Sequence, residues 1–280
     1  MDSKQEFQTL ELLIEGAVAW ISINRPLQSN ALDLSFWSEF PQLLSWIDGQ
    51  PKLRVAVISG AGRHFSAGID FGLMDHLTGL TRDALDPADG RDQLRREILR
   101  LQEAFNAIER LRIPLIAAIH GACIGAGLDL IAACDLRYAA ADARFCIKEV
   151  DFGVVADVGT TQRLLHVIGL PILTELSLTA ATFDAEEAAR IGLVGRVYVD
   201  REVLISAVKA LSSTIASKPP LAIRGIKHNL LYSRDRSVAE GLEYVAGWNA
   251  SMGFSGEMDR AVKAVRQRES GKSQELGPGD

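Results

Sequence analysis

Two acids stand out for the company they keep. Asp129 lies between Leu128 and Leu130, and Asp157 lies between Ala156 and Val158, just after Val154 and Val155. A carboxylate is rarely buried without a partner or a task. One that is buried holds its proton more tightly and can exchange it near neutral pH. The competing reading for each is a helix cap or half of a structural ion pair. Both acids fall in one stretch, His120 to Gly159, which opens on a glycine-rich turn and closes on Lys148-Glu-Val-Asp-Phe-Gly-Val-Val-Ala-Asp-Val-Gly159.

The turn itself can do chemistry. Gly125-Ala-Gly-Leu-Asp-Leu-Ile-Ala-Ala133 should carry the chain from a strand into a helix. The first N–H groups of such a helix have no internal acceptor, and the helix dipole adds positive potential there. That end can hold a developing oxyanion. The glycine spacing does not match the dinucleotide pattern GxGxxG. A second loop of small residues, Gly60-Ala-Gly-Arg-His-Phe-Ser-Ala-Gly-Ile-Asp70, follows the apolar run Val55–Ile58. It is either a ligand loop or a tight turn. Ser66 within it lacks the histidine and acid arrangement of a nucleophile.

These residues need a scaffold. Leu10–Glu15 and Ala17–Asn24 read as strands around Gly16. Leu32–Ile47 reads as a helix capped by Asp33 or Ser35, with a kink or break expected at Pro41. Arg54–Ser59 and Leu115–Ile119 read as buried strands, and Asp135–Ala140, Arg144–Ile147 and Arg196–Val199 as further ones. Phe71–Leu77 is a short helix, Thr78–Arg91 a polar mobile segment, and Asp92–Leu111 a strong amphipathic helix. From Arg201 onward the pattern is almost wholly helical. Strands alternating with helices predict an α/β body, and the tail predicts an appendage used for oligomerisation.

The composition bounds the function. The chain has 280 residues, 48% hydrophobic and 24% charged, with a net charge of −6. That is a globular composition with no clustered basic footprint for nucleic acid. No apolar run reaches transmembrane length. The N-terminus has no apolar signal core and the C-terminus no peroxisomal address, so the expectation is cytoplasmic. Cys123, Cys134 and Cys146 have no CxxC spacing and read as free thiols, with neither a disulfide framework nor a metal site.

In combination the motifs carry a resemblance. Phe65-Ser-Ala-Gly-Ile-Asp70, Pro114-Leu-Ile-Ala-Ala-Ile-His-Gly121, Gly125-Ala-Gly-Leu-Asp129, Cys134-Asp135 and Gly159-Thr-Thr-Gln-Arg-Leu164 resemble the crotonase superfamily of enoyl-CoA hydratases and isomerases. The likeness spans Leu12 to about Arg266. It implies a crotonase-like spiral of ββα units over residues 1–200 that holds an acyl-CoA site. It also implies a helical oligomerisation region over residues 201–280, in a homotrimer or homohexamer. The substrate is then a coenzyme A thioester, with no separate cofactor, metal or membrane. Carried over by motif, the N–H groups of Ala67 and Ala126 form the oxyanion hole, and Ser66, Ala67, Gly68, Ile69, Asp70 and Ala126 touch substrate.

The acids discriminate among the activities. Hydratases of this superfamily usually carry glutamates at the positions of Asp129 and Glu149, and an uncharged residue at that of Asp157. The set Asp129, Glu149 and Asp157 is similar to the branch that isomerises 3,5-dienoyl-CoA to 2,4-dienoyl-CoA. Glu149 and Asp157 then form the proton-transfer pair, Glu149 at C2 and Asp157 at C6, with Asp129 in support. The alternatives are an enoyl-CoA hydratase or another crotonase activity, and a non-catalytic binding protein on the same fold.

Overall fold

Alternation sets the sheet. In Val55–Gly60, Val55 and Val57 face one core while Ala56 and Ile58 face another. In Leu115–Ile119, Ile116 and Ala118 take the first side, and Leu115, Ala117 and Ile119 the second. Successive side chains of a strand point to opposite faces, so strands apolar on both faces belong inside a covered parallel sheet.

The computed structural model describes residues 7–253 and 256–275. The strands are β1 (Leu10–Glu15), β2 (Val18–Ile23), β3 (Val55–Gly60), β4 (Leu115–Ile119), β5 (Ala122–Ile124), β6 (Leu136–Ala140), β7 (Arg144–Cys146), β8 (Phe183–Asp184) and β9 (Val197–Tyr198). The helices are α1 (Leu34–Gly49), α2 (Phe71–Arg82), α3 (Pro87–Arg110), α4 (Ala126–Ala133), α5 (Thr160–Ile168), α6 (Leu170–Thr179), α7 (Ala185–Arg190), α8 (Arg201–Ala216), α9 (Pro220–Ser233), α10 (Val238–Trp248) and α11 (Gly256–Glu275).

Six strands form one sheet in the order β1-β2-β3-β4-β6-β9, antiparallel only between β1 and β2. A smaller sheet has the order β5-β7-β8. The repeating turn is therefore a strand in the large sheet, a strand in the small one, then a helix: β4, β5, α4, and again β6, β7, α5. This is the expected ββα spiral.

The chain divides into two compact units, Met1–Ala216 and Ser217–Asp280. Leu204 and Val208 of α8 pack on Val55, Val57, Ile116 and Ala118, so α8 goes with the sheet rather than with the residues after it. The second unit contains α9, α10 and α11.

Pro41 does not break its helix, and Thr78–Arg91 is not without regular structure. Helix α1 runs unbroken through Pro41, capped by Asp33, whose carboxylate accepts the Phe36 N–H at 2.9 Å. Its buried face of Phe36, Trp37, Phe40, Leu43, Leu44 and Ile47 outweighs the one hydrogen bond that proline removes. The polar segment Thr78–Arg91 is mostly helix, the end of α2 and the start of α3. Asp86 caps α3 by accepting the Ala88 N–H at 2.7 Å, and Pro87 fills the first turn.

Candidate active site

The site is a pocket of about 770 Å³ in the first unit. One side is apolar: Trp37 from α1, Met74 and Leu77 from α2, and Leu94, Ile98 and Leu101 from α3. The other side carries Gly125, Ala126, Asp129, Lys148, Glu149 and Asp157. The three acids named from the sequence thus share one cavity.

Asp129 sits on the first turn of α4 and is 1% exposed. One carboxylate oxygen accepts the Thr160 N–H at 2.6 Å, at the start of α5. The other is buried with no hydrogen-bond partner. Burial first, then the negative charge of Glu149, pushes its carboxyl up to about 7. Glu149 opens the short 3-10 turn Glu149–Phe152 and is half-buried. Burial raises its carboxyl, its own and the Lys148 amides act the other way, and the charge of Asp157 adds to the rise. One of its oxygens is also buried without a partner. Asp157 lies at the exposed rim of the pocket, yet its walls crowd the carboxyl enough to raise it too. Burial disfavours the charged form of all three acids, and the charges of Glu149 and Asp157 both act on Asp129.

Glycines bring the backbone to them. Gly125 has φ 49°, and a β-carbon there would stand 3.2 Å from Glu149 Oε1. Gly68 has φ 98°, and a β-carbon there would stand 2.8 Å from the Ile124 carbonyl and 3.6 Å from the Ala126 nitrogen. Both conformations favour glycine, and both positions need its missing side chain. The Ala126 N–H begins α4 and takes part in none of the backbone hydrogen bonds among the described residues.

The other expected donor is corrected. The Ala67 N–H is already donated to the Ser29 carbonyl at 2.9 Å. Two residues on, Ile69 forms a parallel bridge with Leu32. Leu32 donates to the Gly68 carbonyl at 2.8 Å and accepts the Asp70 N–H at 3.1 Å. In that arrangement the N–H of Ile69 itself points away from Leu32, and no backbone hydrogen bond among the described residues uses it. Ile69 and Ala126 both line the pocket. Ile69 therefore offers an available amide where this loop lines the pocket.

The remaining loop residues divide. Ala67, Gly68, Ile69 and Asp70 line the pocket; Ser66 does not. Ser66 is fully buried, donating its hydroxyl to the Asn30 carbonyl at 2.9 Å and accepting the Gly68 N–H at 3.2 Å. It braces the loop. The Asp70 carboxylate caps α2 by accepting the Gly72 N–H at 2.8 Å and pairs with Arg25 at 3.0 Å. The Gly72 amide first, and Arg25 after it, hold that carboxyl below the usual carboxylate range. Its side chain is thus committed to the scaffold. His64 accepts the Ala122 N–H at 3.1 Å, and buried His120 meets the Gly62 carbonyl at 3.1 Å, so both histidines hold backbone. Lys148 pairs with Asp151, which stands outside the pocket.

Sequence reasoning missed Asn30. It is fully buried at φ 56°, donates to the Ala61 and His64 carbonyls at 2.8 and 2.7 Å, and accepts the Arg25 N–H at 2.9 Å. It ties the residues after β2 to the loop after β3. The available signal was an asparagine after Pro26-Leu-Gln-Ser, since asparagine tolerates left-handed backbone.

Known proteins share this architecture. The family model described as enoyl-CoA hydratase/isomerase matches residues 13–253. The Δ3,5-Δ2,4-dienoyl-CoA isomerase, peroxisomal, of Arabidopsis thaliana is 45% identical over 263 residues, covering 93% of this chain and 95% of that one. The mitochondrial protein of the same name from Homo sapiens is 47% identical over 263 residues, covering 91% and 78%. A crystal structure of a putative enoyl-CoA hydratase from Thermobifida fusca, in complex with acetoacetyl-CoA, superposes with a TM-score of 0.76 at 32% identity, over 87% and 94% of the two chains. With a matched family model across most of its length, and relatives well above 30% identity, this chain belongs to the enoyl-CoA hydratase/isomerase family.

Proposed function

We propose that the protein isomerises 3,5-dienoyl-CoA to 2,4-dienoyl-CoA. The observation that carries this is one cavity lined by Asp129, Glu149 and Asp157 together with Ile69 and Ala126. The names of the Arabidopsis and human relatives agree with it. The thioester carbonyl sits against the N–H groups of Ile69 and Ala126. Glu149, ionised, takes a proton from C2, and the electron pair spreads as an extended dienolate whose charge rests on the thioester oxygen. Asp157, protonated, delivers a proton to C6. The double bonds move from 3,5 to 2,4, and no atom is gained or lost beyond the two protons exchanged. The acids end with their charges swapped and re-equilibrate through solvent at the rim, where Asp157 is exposed. C2 and C6 are too far apart for one short carboxylate to serve both, so two acids are required. Asp129, buried in the same cavity and coupled in charge to Glu149 and Asp157, is the supporting acid.

Coenzyme A enters as part of the substrate, and the reading calls for no separate cofactor or metal. The assembly in this reading is a homotrimer or homohexamer without nucleic-acid or membrane partners. Among the described residues no helix is long and apolar enough to cross a membrane. Three buried cysteine thiols, none in a disulfide, fit a reducing compartment such as cytoplasm. The two relatives are named for the peroxisome and the mitochondrion, and fractionation of the source cells decides among these.

The test is 3,5-octadienoyl-CoA. Absorbance of the carbonyl-conjugated 2,4-diene should rise without addition of water. Glu149→Gln and Asp157→Asn should each lower kcat by about 100-fold or more, within the span of losing a general acid or base, while melting as the parent does. An Asp157→Asn variant with full turnover sinks the two-acid reading. Faster hydration of crotonyl-CoA than isomerisation would favour a hydratase instead.

A further inference from the structure

Asp157 works from an unpromising place. It rides on residues 154–157, which have no regular structure, between Gly153 at φ 72° and Gly159 at φ 124°. Val154 and Val155 before it are exposed. A displacement of about 1 Å at a reacting group can cost on the order of 100-fold in rate. Something must hold this segment.

The hold comes from one face of α3. Gln102 donates its side-chain amide to the Asp157 carbonyl at 2.7 Å. Arg163, 7% exposed, donates to the Val158 carbonyl at 3.1 Å. The same guanidinium donates to Asn106 at 2.6 Å and to Glu109 at 2.9 Å. Gln102, Asn106 and Glu109 follow the i, i+4, i+7 spacing of a single helical face. A β-carbon on Gly159 would stand 1.7 Å from Arg163 Nη1 and 2.9 Å from its Cζ, so the guanidinium points end-on into the space that glycine leaves open. The same helix lines the pocket with Leu94, Ile98 and Leu101. One rigid element thus shapes the acyl side of the cavity and, through two carbonyls, fixes the backbone that carries the second acid.

We propose that Gln102 and Arg163 are positioning residues for the C6 proton transfer, setting the reach of Asp157 without touching substrate. This rests on the isomerase reading above. It separates the two half-reactions: C2 deprotonation by Glu149 should survive loss of the strap, while C6 protonation should not.

The experiment is turnover of 3,5-octadienoyl-CoA in D2O by the full-length enzyme and by Gln102→Leu and Arg163→Lys. Two quantities are read: deuterium at C2 of the recovered substrate, and 2,4-diene formed. Gln102→Leu should keep C2 exchange within about twofold of the parent while diene formation falls by roughly 10-fold or more, with KM little changed. Arg163→Lys keeps the charge, loses the fork, and should show the same split more strongly. Gln102 removes only one surface-side hydrogen bond, so its variant carries the test if Arg163→Lys unfolds. Diene formation within twofold of the parent in Gln102→Leu, or C2 exchange falling in step with it, overturns the proposal. A parent enzyme that makes no 2,4-diene overturns instead the reading beneath it.

Discussion

Asp129 shows how far a single residue could be read. Its burial was legible from Leu128 and Leu130 on either side. Its hydrogen bond to the Thr160 N–H was not, because that contact joins two helix starts 31 residues apart. The consequence is a pH dependence of stability. The carboxyl sits at about 7 in the folded protein against an ordinary 3.8. Between those values the folded state keeps a proton that the unfolded state has released. Stability is therefore full below about 3.8 and falls as pH rises through about 7. Asp129→Asn keeps an acceptor for Thr160 and removes the titration. Its melting temperature should decline less steeply than the parent's from pH 4 to pH 8, with some slope left because Glu149 and Asp157 are raised as well. Parallel Tm–pH curves for the two proteins would mean that Asp129 does not hold its proton.

At the scale of elements, the regular parts were legible and the hydrogen-bond register was not. Continuous apolar runs marked β3 and β4, and β-branched and aromatic residues marked β2, but the three-residue β5 and two-residue β8 are too short to carry a pattern. Of α2 and α3, the stretch Thr78–Arg91 reads from sequence as a polar mobile segment because Gly79, Pro87 and Gly90 punctuate it. In the fold Gly90 is buried, and a β-carbon there would meet Ala84 and the Leu80 carbonyl at 2.7 Å, so that glycine is a close-packing residue and not a breaker. The loop Gly60–Asp70 gives the sharper lesson. Its sequence marks a ligand loop, but which N–H it presents depends on the Leu32–Ile69 bridge and on Gly68 at φ 98°. An ester in place of the Ile69 amide removes that one donor and leaves every side chain in place. It should lower kcat by about 100–1000-fold, as loss of an oxyanion donor does. The same swap at Ala67 breaks the bond to the Ser29 carbonyl and should reduce Tm with a much smaller effect on kcat. The reverse ranking would restore Ala67 to the oxyanion hole.

For the whole molecule, the question is what the second unit does with its apolar surface. Leu230 on α9 is 69% exposed, and Leu242 on α10 is 63% exposed. Ile226 and Val238 are exposed as well. Single exposed apolar residues are ordinary, but several on two neighbouring helices call for a partner surface. α9 and α10 also pack on each other through stacked Tyr232 and Tyr244, with centroids 3.9 Å apart, and through the Tyr244 hydroxyl to His228 at 2.9 Å. That pairing holds the two helices that carry the apolar residues against each other. A second copy of the chain is the occupant that the proposed trimer or hexamer calls for, since closed cyclic assemblies bury the same patch on every subunit. Light scattering on the parent should then give three or six times the chain mass. Leu230→Glu combined with Leu242→Glu places charges at both positions while leaving the tyrosine stack untouched. The double variant should sediment as a smaller species, and its sheet-bearing unit should keep its far-ultraviolet dichroism. An unchanged mass would assign the interface to another face of the molecule, and the expected role of the helical tail would go with it.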